Sequence, residues 1–259
     1  ALSRHVCTFF EAYWQDKFSN NVLPLRVGND VATIDGAMGV IEILLTRREY
    51  TKASPFVVLL GTGNHEVTSS WTNPRGAVCQ NTLGITHNNI TFLGKGIGET
   101  TVLGGFGFHN VQNITLKQMT LTNTKGDGIQ MHGAVVELVD IATVHCDNSG
   151  INVRSAAVTP AQLVVTRCEM SNNGGSGLNI VNFNTNISHN VCLKNCISHH
   201  NSFNGILMSG KGVVNIHGDA TAIHSNGQYG ISAYNSGKVV IHLPSDHNTI
   251  YNNNLEDRE

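Results

Sequence analysis

The tightest constraint on this chain is a repeat. Gly-Ile or Gly-Leu pairs recur at Gly128-Ile129, Gly150-Ile151, Gly177-Leu178, Gly205-Ile206 and Gly230-Ile231, with glycine spacings of 22, 27, 28 and 25 residues. A second apolar series runs through Leu121, Val144, Met170, Ile197, Ile223 and Ile250, spaced 23, 26, 27, 26 and 27. Earlier in the chain, Asn89-Ile90-Thr91-Phe92 and Asn113-Ile114-Thr115-Leu116 repeat 24 residues apart, and Val57-Val58-Leu59-Leu60 reads as a preceding strand. Two columns sharing one period mark a repeat architecture, in which each unit buries its apolar face only by stacking on its neighbours.

Alternation inside each repeat has period two, as in Ile114-x-Leu116, Thr120-x-Thr122 and Ile129-x-Met131, so the segments are strands. There are three per repeat, short, with no helix between them. A propeller blade needs about 40–45 residues and a leucine-rich repeat shows Leu-x-x-Leu-x-Leu; neither fits. A coil of parallel strands does, each winding lying ~4.8 Å above the last so that equivalent residues form ladders. Ile129, Ile151, Leu178, Ile206 and Ile231 then stack inward. Asn172, His199, Ser225 and Asn252 form a polar turn column, and His145, Ser171, Ser198, His224 and Tyr251 form another.

Composition agrees. The 259 residues include 27 glycines and 30 asparagines, 24 of the latter after His87. Both types tolerate left-handed backbone, as a chain that turns often requires. Charged residues are 13% and net charge is −2, which argues against a nucleic-acid partner. No run of ~18 apolar residues suggests a membrane span. Cys7, Cys79, Cys146, Cys168, Cys192 and Cys196 are too few for a disulfide scaffold and read as reduced thiols. Sequons at Asn89, Asn113 and Asn186 are expected by chance in so Asn-rich a chain, and the compartment stays open.

A stack of windings exposes its ends and needs caps. Residues 3–18 place Val6, Phe9, Phe10, Tyr13, Trp14 and Phe18 at helical spacing, which predicts an N-terminal capping helix; a second helix is expected over Val31–Leu45. The chain thus divides into a helical cap and entry segment (1–55), a parallel β-helix (56–254) and a charged tail (255–259), together one folded domain.

The Asn-rich repeats Ser171-Asn172-Asn173…Gly177-Leu178 and His200-Asn201…Gly205-Ile206 resemble those of the carbohydrate-binding and sugar-hydrolase group of right-handed parallel β-helices, in the pectate-lyase-like superfamily. The resemblance covers about residues 55–254. It implies an all-β, right-handed solenoid and a polysaccharide partner, and it supplies the handedness. The family's catalytic signatures are missing: there is no Tyr-Gly-x-Asp-Pro-His element of alginate epimerases, none of the Asn-Thr-Asp, Gly-His-Gly or Arg-x-Lys elements of polygalacturonases, and no acidic calcium cluster of pectate lyases.

Candidate chemistry follows from the strand after each Gly-Ile. With Ile129 inward, Gln130 and His132 point outward. The outward columns are Gln130, Asn152, Asn179, Leu207, Ser232 and His132, Arg154, Val181, Ser209, Tyr234, with Asp127 and Asp147 in the preceding bends. Arg154 suits a uronate carboxylate, held bidentately. His132 or an aspartate suits removal of the proton α to it, the step shared by lyases and epimerases. Asp127 and Asp147 would suit a glycosidase pair. Asp127, His132, Asp147 and Arg154 are the candidate catalytic residues; Gln130, Asn152 and Asn179 are candidate substrate contacts. No cofactor or metal is expected: His145 and Asp147 make a local pair, but the other histidines lie whole windings away. The alternative is a non-catalytic glycan-binding or structural module of a surface, viral particle or fibre. It would be monomeric, or a homotrimer that an exposed Leu207 and Val181 would favour.

Overall fold

The computed structural model describes residues 24–45, 49–154, 159–182, 186–242 and 250–258. Over these residues it is a right-handed parallel β-solenoid with three short strands per winding and one helix near its start. The helix expected over residues 3–18 lies outside the described residues. The second one is present as Ile34–Leu45, begun by Thr33, whose Oγ1 accepts from Gly36 N at 3.1 Å. Ile34, Ala37, Ile41 and Leu44 are buried against the first windings.

Three faces build the coil. The first runs from Leu25–Val27 through Phe56–Leu60 and Ile90–Leu93 to Gly237–His242. The second includes Glu169–Ser171, Ile197–His199 and Ala222–His224. The third is a separate seven-stranded sheet from Thr82–Ile85 to Ile231–Tyr234. Between the first and second faces the chain turns on single residues with left-handed backbone: Gln118, Asp140, Arg167 and Asn195, φ 52 to 58°. After the second face it turns again on His145, Asn172, His200, Ser225 and Asn252, φ 53 to 56°. One such residue reverses the pleat and re-aims the strand without a loop.

The Gly-Ile column stacks in register, Ile129 beside Ile151, Leu178, Ile206 and Ile231 in successive windings. Each of these side chains is almost wholly buried, a gain of about 1.5–3 kcal/mol apiece. The glycines before them have a different reason from backbone freedom. A Cβ on Gly150 would meet Thr143 Oγ1, on Gly177 Ser198 Oγ, on Gly205 Ile223 Cγ2 and on Gly230 Ile250 Cγ2. A second-face side chain packs directly onto each of these glycines, from the next winding for Gly177, Gly205 and Gly230, and nothing larger fits.

That packing corrects the second apolar series. The stacked column is Leu121, Thr143, Met170, Ser198, Ile223 and Ile250. Val144 falls one residue after Thr143 and Ile197 one residue before Ser198, and both face outward, Ile197 being exposed. Hydroxyl residues hold two of the inward places, and Ser198 Oγ donates to Gly205 O at 2.9 Å. The polar columns shift likewise. The left-handed corner holds His145, Asn172 and His200, and the outward column is Val144, Ser171, His199, His224 and Tyr251. Its rings stack, His199 on His224 at 5.0 Å and His224 on Tyr251 at 4.9 Å.

The asparagine ladder lies one residue beyond the corner. Asn173 Nδ2 donates to Asn201 Oδ1 at 2.9 Å, Asn201 Nδ2 to Asn226 Oδ1 at 3.0 Å, and Asn226 Nδ2 to Asn253 Oδ1 at 2.9 Å. The same oxygens accept from the backbone N–H of the previous winding. Buried amides are thereby paired along the axis, which is how so polar a residue occupies the interior of the bend.

Candidate functional site

The third face has an outer surface whose two halves differ. Its outward column is Gly84, Gly107, Gln130, Asn152, Asn179, Leu207 and Ser232. Over the early part lies an antiparallel hairpin, Trp71–Thr72 with Val78–Cys79. Asn73 builds its turn: Oδ1 accepts from Arg75 N at 2.9 Å and Ala77 N at 3.1 Å, and Pro74 fixes the backbone between. Asp35 ties the segment leading into the hairpin to the helix, accepting from Thr68 N at 3.0 Å and Ser69 N at 3.2 Å. The Trp71 indole lies flat on the places where Gly84 and Gly107 lack a Cβ.

Beyond the hairpin the surface opens into a groove of about 540 Å³. Asn152, Asn179, Leu207 and Ser232 make its floor. The bends Asn148-Ser149, Gly174–Ser176, Phe203-Asn204 and Gln228-Tyr229 make one wall, and Arg154 and Tyr234 stand on the other side. Asp127 reaches into it. Its Oδ1 accepts from Ser149 N at 3.0 Å and its Oδ2 from Asn152 Nδ2 at 2.8 Å. Burial pushes this carboxyl above the usual range, although Asn152, Ser149 and the Arg154 charge pull the other way. Asn152 Oδ1 in turn accepts from Arg154 Nε at 3.2 Å, and Asn179 Nδ2 approaches it at 3.5 Å. Asp127, Asn152, Arg154 and Asn179 are thus one hydrogen-bonded row.

The other candidates are placed elsewhere. Asp147 is exposed in the bend, two residues before Ser149, outside the groove lining. Gln130 is covered; its Oε1 accepts from the Cys79 thiol at 2.9 Å. His132 is fully buried, its ring 5.9 Å from that of Trp71, and neither ring nitrogen has a hydrogen-bond partner. Burial first, then the charges of Arg75, Arg154 and His109, push its pKa down to about 4, so the imidazole is neutral at ordinary pH. Leu207 belongs to the groove column and Val181 to its neighbour, paired with Ser209 rather than with each other. No group of three or more His, Cys, Asp or Glu gathers in metal-binding geometry among the described residues. Cys79, Cys146, Cys168, Cys192 and Cys196 are free thiols.

Sequence reasoning missed the hairpin, and with it Trp71 and Arg75. A signal was present: Asn73-Pro74-Arg75-Gly76 is a turn tetrad between Trp71 and Val78. The wall residues Phe203 and Tyr229 were also missed, because they stand in bends and outside any strand column.

A family described as right handed beta helix region matches residues 76–255, more than two-thirds of the chain. Among solved structures, the A-module of Azotobacter vinelandii mannuronan C-5 epimerase AlgE4 is similar at 15% identity, over 75% of this chain and 91% of that one, with a TM-score of 0.30. The A-module of the epimerase AlgE6 from the same organism is similar at 13% identity, over 90% and 96%, with a TM-score of 0.31. At these values the likeness says nothing about chemistry. No curated protein matches the sequence significantly. With its strand ladders, its three faces and that match in agreement, the chain belongs to the right-handed β-helix family.

Proposed function

We propose that this protein binds a polysaccharide containing uronic-acid residues in the groove of the third face. One observation carries the reading: the groove floor carries two neutral amides and a hydroxyl beside Leu207, with a guanidinium at one end and exposed aromatic rings at its rim. Asn152, Asn179 and Ser232 match sugar hydroxyls, which both donate and accept. Arg154 matches a carboxylate. Phe203 and Tyr234, 48% and 46% exposed, offer the apolar faces on which pyranose rings lie. The groove crosses several windings, so a chain of sugars fits it better than a single one.

Turnover is a second reading, favoured by Asp127. Its carboxyl lines the groove beside Arg154, and burial raises its pKa, a combination suited to accepting and returning a proton next to a neutralised uronate. Loss of that proton followed by β-elimination is lyase chemistry; its return on the opposite face is epimerisation. Hydrolysis by a carboxylate pair is less supported, because Asp147 stands outside the groove lining.

Binding to alginate, pectin and neutral glycans by calorimetry tests the first reading, with the same mixtures assayed for unsaturated ends, new reducing ends and C5 inversion. Acidic glycans are expected to bind and Arg154→Ala to weaken them. Equal or absent binding across the panel would sink the proposal, and a turnover abolished by Asp127→Asn in a folded protein would establish the second reading.

A further inference from the structure

His132 is the polar group that the fold explains least. It is wholly enclosed, yet both ring nitrogens lack partners, so its desolvation is uncompensated. The charges around it are mostly positive. Arg154 is its register neighbour in the next winding and His109 in the previous one. Arg75 comes down from the hairpin turn, near enough that its charge and that of Arg154 both act on His132. Arg75 also feels Arg154, after burial, as a like charge. Of the other titratable groups here, Asp127 is directed at Ser149 and Asn152, and the Cys79 thiol at Gln130.

Two arginines whose charges act on one buried, unpartnered imidazole match an anion, which accepts bidentately from arginine and singly from imidazolium. Arg154 also lines the open groove and is the register neighbour of His132, so it links the two. The cover is slight: two strands of two residues each, an indole resting on glycines and one thiol–amide contact. We propose that the hairpin covers an anion subsite at the closed end of the groove, where Arg75, Arg154 and His132 hold an acidic group of the glycan, carboxylate or sulfate ester. This rests on the glycan reading above and deepens it.

Burial and then the neighbouring positive charges keep His132 neutral, and an anion placed there offsets both by pairing with the charged ring. The ring then takes up a proton on binding, and affinity for acidic glycans rises as pH falls from about 6 toward 4, between the bound and free midpoints. The test follows the His132 ring resonances against pH in the full chain. Three probes are compared with the free protein: an oligogalacturonate, a sulfated oligosaccharide and a neutral galacto-oligosaccharide. The free midpoint is expected at about 4; an acidic probe raises it by roughly one unit or more, and the neutral probe leaves it in place. Whichever acidic probe moves it identifies the group recognised. Arg75→Gln, in an exposed turn, should abolish the shift and weaken acidic binding about tenfold without changing neutral binding. If amide resonances of Asn179 and Ser232 respond to acidic glycan while His132 keeps its midpoint, the subsite is refuted and the groove reading stands. If no groove resonance responds to any probe, both are refuted.

Discussion

One outward column runs the length of the third face, and its two halves have opposite fates. Gly84, Gly107 and Gln130 lie beneath the hairpin; Asn179, Leu207 and Ser232 line an open groove. The strands are the same, parallel and in register. The difference comes from a segment that belongs to neither half, anchored by Asp35 and seated on glycines. Pleat geometry decides which way a side chain points; whether it meets water is decided by what is laid over it.

The largest expected effect is on acid stability, to which the covered half contributes through His132. His132 and His189 both have folded pKa values pushed down to about 4, mainly by burial. Below the ordinary histidine value the unfolded chain takes up protons that the folded one refuses, so stability falls as pH drops from about 6.5 to about 4, by roughly 3 kcal/mol for each residue. Urea unfolding at pH 7, 5 and 4 measures this. His132→Asn should remove about half of the dependence, with the His189 share left in place, and an unchanged slope would mean that His132 is not enclosed.

Next is the contrast between Gly107→Val and Asn179→Val at equivalent points of the column. The first drives a Cβ into the Trp71 ring and should lower stability by about 1–3 kcal/mol. The second, in the open half, should alter thermal unfolding by less than about 0.5 kcal/mol. Equal effects would erase the distinction between the halves. Arg154→Ala tests the open half by function: acidic glycan affinity is expected to drop about tenfold, with the melting temperature unchanged. Ser232→Ala, at the far end of the groove, should cost about threefold or less in affinity; a loss as large as that of Arg154→Ala would relocate the charged end.

Much of this was legible from residues. The Gly-Ile spacing placed Ile129, Ile151, Leu178, Ile206 and Ile231 in one stack, and it put Arg154 beside His132 and Asn179 beside Asn152. The second series was misread by one residue at Val144 and Ile197, because apolar character was followed where strand register decides: Thr143 and Ser198 hold the inward places and their apolar neighbours face out. The same slip displaced the asparagine ladder from Asn172 to Asn173.

The sequence by itself determined the period, the parallel coil and which residues share a column, since a repeat that cannot bury its apolar face alone has to stack in register. Tertiary structure alone decided that Gln130 and His132 are sealed, that Asp127 turns into the groove while Asp147 stays outside it, and that Arg75 approaches Arg154. Alternation is a local property carried by neighbouring residues. Enclosure and electrostatic surroundings depend on segments dozens of residues apart, and no spacing rule encodes where those come to rest.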